Sequence, residues 1–261
     1  MSIGKILFYQ PIISGLFLFY HLTGNLGWAI VLLTIVIRLL LLPLTLPSLK
    51  AAAKIQQLAP ELEKLKKKYK NDRKKLSQAQ MELYRRHKIN PTAGCLPQII
   101  QILVLITLYQ VFRDLLISKN TVTQINELVY SFLRLPAGAV LQTKFFYLDL
   151  AKPDTFLLGG KPFPGLFLWL AVITQFFSAK LSLPRVKKEE KLAGKTVSKE
   201  DDFAVAFQKQ SLYLFPLMTL IFGLSFPSGL VVYWAVFSLT NLFQQLALRK
   251  INWSEGGKKN G

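Results

Sequence analysis

The chain has 261 residues, of which 51% are hydrophobic and 18% are charged, and its mean hydropathy is +0.33. This composition excludes a disordered or low-complexity protein and is atypical of a soluble domain. Thirty-three Lys and Arg against fourteen Asp and Glu give a net charge of +19, which in so apolar a chain favours a membrane whose anionic lipids face basic loops. One cysteine and two distant histidines exclude a disulfide framework and argue against a metal site or catalytic triad.

The first apolar run, Ile6 to Leu22, is interrupted by Gln10-Pro11 and His21 and is followed by Gly24-Asn25. It has neither the basic start nor the small-residue cleavage site of a signal peptide. We therefore predict a helix that lies in the membrane interface, and a sixth span is the alternative.

Five further runs are apolar over about the length that a bilayer core requires, which is roughly 20 residues. They cover approximately 26–46, 95–116, 163–179, 211–226 and 229–248. Only Pro227-Ser228 separates the last two runs, which predicts a tight hairpin between two spans.

Basic residues are concentrated after the first, third and fifth spans. Residues 48–92 hold thirteen Lys and Arg and four acids, residues 180–210 hold eight and five, and the tail after Leu248 holds four and one. Residues 114–162 hold only five and four. The positive-inside rule then predicts that the first three segments are cytoplasmic, with the N-terminus outside and the C-terminus inside.

The basic segment after the first span has a helical pattern. Pro60 followed by Glu61 and Glu63 is typical of a helix start. Two apolar seams with helical spacing follow, at Leu58, Leu62, Leu65 and Tyr69, and then at Leu76, Ala79 and Leu83. Lys70-Asn71-Asp72 separates the seams, so we predict an antiparallel helical hairpin.

Lysines cover this predicted hairpin, and five of them are the candidates for docking: Lys66, Lys67, Lys68, Lys74 and Lys75. One interpretation is a solvated face beside anionic lipid. The other is a docking arm for an anionic partner such as ribosomal RNA.

Arg38 lies inside the first span with no acid nearby in sequence. An arginine at the centre of a span costs about 2.5–3.5 kcal/mol on insertion scales. Leu46 is about 12 Å further along the helix, which is beyond the reach of the side chain. A headgroup anchor is the alternative, but we expect Arg38 to face a water-filled cavity.

Polar faces on several spans support a cavity. Thr34 shares a helical face with Arg38. A polar stripe on the fifth span consists of Trp234, Ser238, Asn241 and Gln245, and further amides are Gln98, Gln101 and Gln175. Each of these alone is more typical of helix packing, whereas four spans with polar faces favour a shared groove.

Four motifs distributed along the chain carry a family resemblance. They are Thr34 and Arg38 before Pro43; the basic segment 49–90; Asn90-Pro91 with Gly94-Cys95-Leu96-Pro97 and Gln101; and Pro227-Ser228-Gly229 to Trp234 with Asn241 and Gln244-Gln245. Together they resemble the YidC family of membrane protein insertases, relatives of the Oxa and Albino insertases. The chain departs from the family at Gln101-Ile102-Leu103, where the family often has Gln-Met-Pro.

The resemblance implies an all-α membrane protein of the bacterial inner membrane, with five transmembrane helices around a polar groove, an N-terminal interfacial helix and a cytoplasmic helical hairpin. The groove would open to cytoplasm and lipid, and Arg38 would attract an acidic tail of a nascent membrane protein. The implied partners are nascent membrane proteins, the ribosome and anionic lipids, with or without the Sec translocon. Neither DNA, a cofactor nor covalent chemistry is implied, so the chain is expected not to be an enzyme.

We divide the chain on this basis into an interfacial helix, spans, loops and a tail: 1–25, 26–48, 49–92, 93–117, 118–162, 163–181, 182–209, 210–248 and 249–261. A polytopic transporter or channel is the alternative function. It is less favoured because the sequence has no internal repeat and no carboxylate in the interior of a span.

Overall fold

A computed structural model of the protein describes residues 5–69, 72–89, 95–117, 122–136, 138–182 and 203–257. Within these ranges the chain is mainly helical, with helices α1 (Gln10–Thr23), α2 (Leu26–Gln57), α3 (Ala59–Lys68), α4 (Arg73–Arg86), α5 (Cys95–Phe112), α6 (Val122–Asn126), α7 (Leu166–Ser182), α8 (Phe203–Gly223) and α9 (Ser228–Gly257). Four short strands form two antiparallel hairpins, β1 (Lys144–Phe145) with β2 (Leu148–Asp149), and β3 (Thr155–Leu158) with β4 (Lys161–Pro164). We call residues 122–164 the loop layer.

Four helical stretches of the described chain are long and apolar enough to cross a membrane, namely Ile6–Thr23, Leu26–Ser48, Ile99–Leu116 and Ser228–Ala247. Two shorter apolar stretches, Leu166–Leu181 and Leu212–Gly223, correspond to the third and fourth predicted spans. Length and composition thus support several membrane helices, and the count of five spans stays a prediction.

Several helix boundaries differ from the segments predicted by hydropathy. Helix α2 continues through Pro43 and Pro47 to Gln57, because the Lys- and Ala-rich residues after the apolar run are good helix formers. Helix α8 already begins at Phe203, and α9 continues to Gly257. The third apolar helix begins at Leu166 and not at 163, because Phe163 pairs in strand β4 and Pro164-Gly165 follow it. Hydropathy locates apolar surface, whereas helices also extend into polar sequence.

Helix α1 and the residue before it make polar contacts with Asp114, just after α5, and with the loop layer. The hydroxyl of Tyr9 donates to Asp114 at 2.8 Å, Ser14 accepts from the backbone of Tyr130 at 3.1 Å, and His21 lies 3.0 Å from the carbonyl of Leu133. If α1 crossed the bilayer, Tyr9 would lie about 20 Å from the other end of the helix in depth. Contacts with one side of the molecule along its length favour the interfacial position, which stays a prediction.

Helices α3 and α4 form a hairpin outside the apolar helices. The imidazole Nε2 of His87, just after α4, lies 3.9 Å from Oε2 of Glu61 in the first turn of α3, so the two helices are antiparallel. Asp72 caps α4 by accepting from the backbone N–H of Lys75 at 3.0 Å, and this hydrogen bond lowers the pKa of Asp72. Leu58, Leu76 and Ile89 are buried. Lys70-Asn71 and residues 90–94 lie outside the described ranges.

The apolar core lies on the side of the molecule where the loop layer is. It forms where α1, the start of α2, the end of α5 and the start of α9 meet, and its fully buried members include Ile13, Leu16, Leu26, Ile30, Leu108, Phe112, Leu150 and Leu230. Further along α2 and α9, buried polar residues such as Arg38 and Ser238 occur instead. At the loop layer, the ends of these helices are therefore packed together by apolar side chains.

The loop layer also fixes the starts of α2, α7 and α9. The backbone N–H of Leu26 donates to Gln142 at 3.1 Å, and that of Ser228 donates to Lys152 at 2.7 Å. At the start of α7, the carboxylate of Asp154 accepts from the backbone of Leu168 and from the hydroxyl of Tyr147, both at 2.8 Å. These bonds satisfy backbone donors that a helix start leaves without an internal partner.

The cap at Asp154 is closely enclosed. Asp154 is 1% exposed, and a Cβ at Gly165 would lie 1.7 Å from its Oδ1, so the residue at 165 must be glycine for the carboxylate to fit. Burial and the hydrogen bond to Asp154 raise the pKa of Tyr147 to about 12. The hydroxyl therefore remains a donor across the physiological pH range.

We predict that Asp154→Ala lowers the free energy of unfolding by about 2 kcal/mol, because the backbone N–H of Leu168 in the first turn of α7 loses its buried acceptor and the Tyr147 hydroxyl loses its partner. Denaturant unfolding of the purified protein in detergent micelles measures the change. Asp72→Ala is the matched control, since it removes the exposed cap of α4 and should have a clearly smaller effect. Equal effects of the two substitutions would contradict the importance of the buried cap.

Candidate functional site

Arg38, Ser178 and Asn241 meet at one depth because their helices start together. Arg38 and Ser178 each lie twelve residues after the start of α2 and α7, and Asn241 lies thirteen residues after the start of α9. All three helices begin at the loop layer, so a rise of 1.5 Å per residue places the three side chains roughly 18–20 Å from it. The site is thus built by helices whose starts the loop layer fixes.

Arg38 is 8% exposed, and its guanidinium is held by side chains of α9. Its Nη2 donates to Oε1 of Gln244 at 2.6 Å and to Oδ1 of Asn241 at 3.2 Å. Its Cζ lies 4.5 Å from the centroid of the Phe237 ring, in a cation–π arrangement. At 100° per residue, Phe237, Asn241 and Gln244 fall within about 60° of one another, so one face of α9 receives the arginine.

Asn241 joins three helices through its two amide atoms. Its Oδ1 accepts from Arg38 of α2, and its Nδ2 donates to Oγ of Ser178 of α7 at 2.8 Å. Gln245 donates to the same Ser178 oxygen, also at 2.8 Å. The amide of Asn241 therefore links Arg38 to α7 as well as to α9, so the position of α7 affects the position of the arginine.

The charge of Arg38 has neutral partners. Among the described residues, its hydrogen bonds are to amides and it forms no ion pair. Two buried polar atoms of the site, Nε of Arg38 and Oε1 of Gln245, have no hydrogen-bond partner within the described chain. A buried cation without a carboxylate keeps its field, which in a low-dielectric setting attracts anions strongly.

The other predicted groove residues are distributed around this cluster. Thr34 is buried and its hydroxyl donates to Ile30 of its own helix at 2.6 Å. Gln101 of α5 donates to the hydroxyl of the buried Tyr233. Ser238 is buried and Trp234 is half-buried. The side chain of Gln98 lies outside the described part of the structure.

Gln175 is the predicted residue that is directed elsewhere. Its Oε1 accepts from the buried Thr219 of α8 at 2.8 Å, so it joins α7 to α8 and not α7 to the arginine cluster. Conversely, Gln244, Ser178, Tyr233 and Phe237 belong to the cluster or its neighbourhood although they were not among the predicted site residues. Around α9, Gln244 lies about 60° from Asn241 and Gln245 about 40° from it, so the helical pattern favoured Gln245 and carried no signal that selects Gln244.

The candidate docking lysines lie on the α3–α4 hairpin. Lys67, Lys68, Lys74 and Lys75 are exposed, and Lys66 is half-buried. Lys75 pairs with Asp72 at 3.1 Å, and Nζ of Lys68 lies 5.3 Å from the ring centroid of Tyr69. A cleft of about 830 Å³ between the two helices is bordered by charged residues of both signs, among them Glu61, Lys64, Lys68, Lys75, Glu82 and Arg86.

Three comparisons relate this chain to known proteins. A family model described as 60Kd inner membrane protein matches residues 18–255. A Fusobacterium nucleatum protein named membrane protein insertase YidC is 33% identical over 227 residues, which are 87% of this chain and 87% of that protein. A protein of that name from Rickettsia typhi is 29% identical over 93% of this chain, which spans 39% of its length. Another from Syntrophobacter fumaroxidans is 34% identical over 90% of this chain, which spans 36% of its length.

Among solved structures, one described as an active YidC insertase with the first transmembrane domain resolved is similar to this chain with a TM-score of 0.52 and 27% identity. The likeness covers 90% of this chain and 45% of the other. It extends over nearly the whole arrangement described above.

We predict that Arg38 and Gln244 are energetically coupled by about 2 kcal/mol, the magnitude expected for a hydrogen bond to a charged group. A double-mutant cycle of Arg38→Met and Gln244→Ala, read from unfolding in detergent micelles, measures the coupling. The neighbouring amide provides the control, because Gln245 contacts Ser178 and should couple to Arg38 more weakly. Equal coupling of both glutamines would contradict the observed arrangement.

Proposed function

Because the chain belongs to the 60Kd inner membrane protein family of YidC-type insertases, we propose that it inserts nascent membrane proteins into the bilayer. The match to residues 18–255 and the 33% identity to a relative of similar length show the family. Members of this family are inner-membrane insertases and not enzymes.

The observation that carries the proposal is Arg38, a buried cation that neutral amides hold in place. Its field is not cancelled by a carboxylate among the described residues, and its Nε is left without a partner there. An acidic segment of a client protein is the ligand that such a group attracts. Arg38 thus draws a polar tail part-way into the membrane while the apolar segment moves into lipid.

The division of the molecule into an apolar and a polar half supports a groove that is open on one side. The core near the loop layer is packed with Leu and Ile side chains, whereas Arg38, Ser178 and Ser238 are buried further from it. A polar half admits water and shortens the apolar distance that a client tail must cross. In this proposal the α3–α4 hairpin and the C-terminus are cytoplasmic, and the N-terminus and the loop layer are outside.

The exposed lysines of the α3–α4 hairpin support a docking role beside that opening. They present positive charge on a surface that extends from the apolar helices, which suits ribosomal RNA or anionic headgroups. We propose that the ribosome docks here and that insertion proceeds alone or with the Sec translocon.

We predict that Arg38→Ala folds but inserts a reporter with an acidic extracellular tail several-fold less efficiently, while the same reporter with a neutral tail is affected less. Arg38→Lys should keep most activity, because attraction of a tail requires a charge and not a bidentate fork. The measurement is insertion yield in reconstituted vesicles with the tail charge varied. A stable Arg38→Ala protein that inserts every reporter normally would leave Arg38 as a headgroup anchor.

Relocated charges serve as controls for that experiment. In the Arg38→Ala background, Gln101→Lys should restore part of the yield, since Gln101 contacts Tyr233 on the helix that holds Arg38. Gln175→Lys should restore less, because Gln175 contacts Thr219 of α8.

We predict that replacing Lys66, Lys67, Lys68, Lys74 and Lys75 by Gln weakens binding of ribosomes and reduces its dependence on salt, because phosphate contacts release counterions. Cosedimentation at several salt concentrations measures both quantities. The control replaces Lys144, Lys152 and Lys161 of the loop layer by Gln, which should leave binding unchanged. If the two sets behave alike, the α3–α4 hairpin is not the docking site.

A further inference from the structure

The β3–β4 hairpin exposes apolar side chains at the start of an apolar helix. Leu157 is 77% exposed, Leu158 63% and Phe156 51%. Gly159 and Gly160 form its tip, both with positive φ (58° and 76°), which is the backbone of a tight two-residue hairpin turn. Lys161 is the single charged residue of the ten from 155 to 164.

Both ends of this hairpin are attached to the first turn of α7. Asp154, which precedes β3, caps α7 through Leu168, and the N–H of Gly165, which follows β4, donates to the carbonyl of Asp154 at 2.8 Å. The hairpin therefore projects from the start of α7 in a fixed place. A two-stranded hairpin alone is only marginally stable in water. Its exposed apolar side chains would be stabilised by an apolar environment.

The apolar surface of the hairpin continues into the exposed surface of α7. The ring centroids of Phe156 and Phe163 lie 5.1 Å apart across the two strands. The ring centroid of Phe163 lies 6.3 Å from that of Trp169. Along α7 the exposed apolar residues continue with Leu170, Ile173 and Phe177. The same medium that covers those helix residues therefore reaches the hairpin.

Helix α7 is also short for a membrane span. Its 17 residues within the described chain give about 25 Å of length, whereas a bilayer core is about 30 Å thick. Apolar surface at its start extends the apolar height on the side of the loop layer. A span that is too short otherwise thins the bilayer around it, at an energetic cost.

We infer that the β3–β4 hairpin is a lipid anchor, which inserts Phe156, Leu157 and Leu158 into the interfacial region of the leaflet next to the loop layer, with Lys161 at the level of the lipid phosphates. The anchor adds apolar surface at the start of α7, so that helix and hairpin together match the thickness of the bilayer core. It also fixes the depth of α7 in the bilayer. Because the loop layer also sets the starts of α2 and α9, the anchor holds the depth of the Arg38 cluster in the bilayer.

The test is a fluorescent depth measurement on the full chain. Leu157→Cys in a Cys95→Ser background is labelled with a polarity-sensitive fluorophore and reconstituted in lipid nanodiscs that hold one copy each, with no client protein. We expect blue-shifted emission and several-fold stronger quenching by lipids that carry a nitroxide near the headgroup than for a label at the exposed Gln142→Cys. Ile173→Cys in α7 provides the reference for a label within the bilayer.

A second substitution separates lipid insertion from mere proximity. Leu158→Asp in the labelled Leu157→Cys protein should shift the emission toward that of water, while the label at Ile173→Cys should not change. Aqueous emission of the Leu157→Cys label in single-copy nanodiscs would overturn the anchor. Shielding that appears only after a client protein or a second copy is added would overturn it as well, and would assign the face to that occupant.

Discussion

A buried arginine with no carboxylate partner in the described part of the chain is the constraint on which this molecule depends. A guanidinium in an apolar setting needs partners, and Arg38 finds them in two amide oxygens and an aromatic face of one helix. Neutral partners stabilise the cation and yet leave its charge effective, whereas a carboxylate would neutralise it. The amides therefore hold the arginine in place without neutralising its charge, which is the property that the proposed role in insertion requires.

The loop layer makes that arrangement possible by fixing the helix starts. Backbone donors at the beginnings of α2 and α9 bond to loop carbonyls, and the buried Asp154 caps α7. Because the three helices start together, residues at similar distances along them meet at one depth. An error of one residue in any of these starts would displace a side chain by about 1.5 Å along the axis and turn it by 100°, which is enough to break the amide contacts.

The helices are held together by apolar contacts in the half near the loop layer and by hydrogen bonds in the half further from it. Near the loop layer, Leu and Ile side chains seal the molecule. Farther along, hydrogen bonds from Asn241 and Gln245 to Ser178 join α7 to α9. Hydrogen bonds between membrane helices are individually modest, so this half of the helices should separate more easily than the half that is packed with Leu and Ile.

The sequence by itself determined the class of the protein, because hydropathy, loop charge and an arginine within an apolar run are local properties. It also predicted the paired helices of the basic segment, since Pro60, the apolar seams and Asp72 act over a few residues. The family resemblance rested on residues that can be read in order, such as Asn90-Pro91 and Pro227-Ser228-Gly229.

Only the tertiary structure decided which amides hold the arginine. Gln244 and Gln245 are adjacent in sequence and chemically identical, and the rotation of α9 against α2 and α7 directs one to Arg38 and the other to Ser178. The same holds for Gln175, whose helix turns it to Thr219, and for Phe163, which pairs in a strand because β3 and the cap at Asp154 come together there. These outcomes depend on contacts between residues far apart in the chain, and a periodic pattern within one helix carries no information about the orientation of its neighbours.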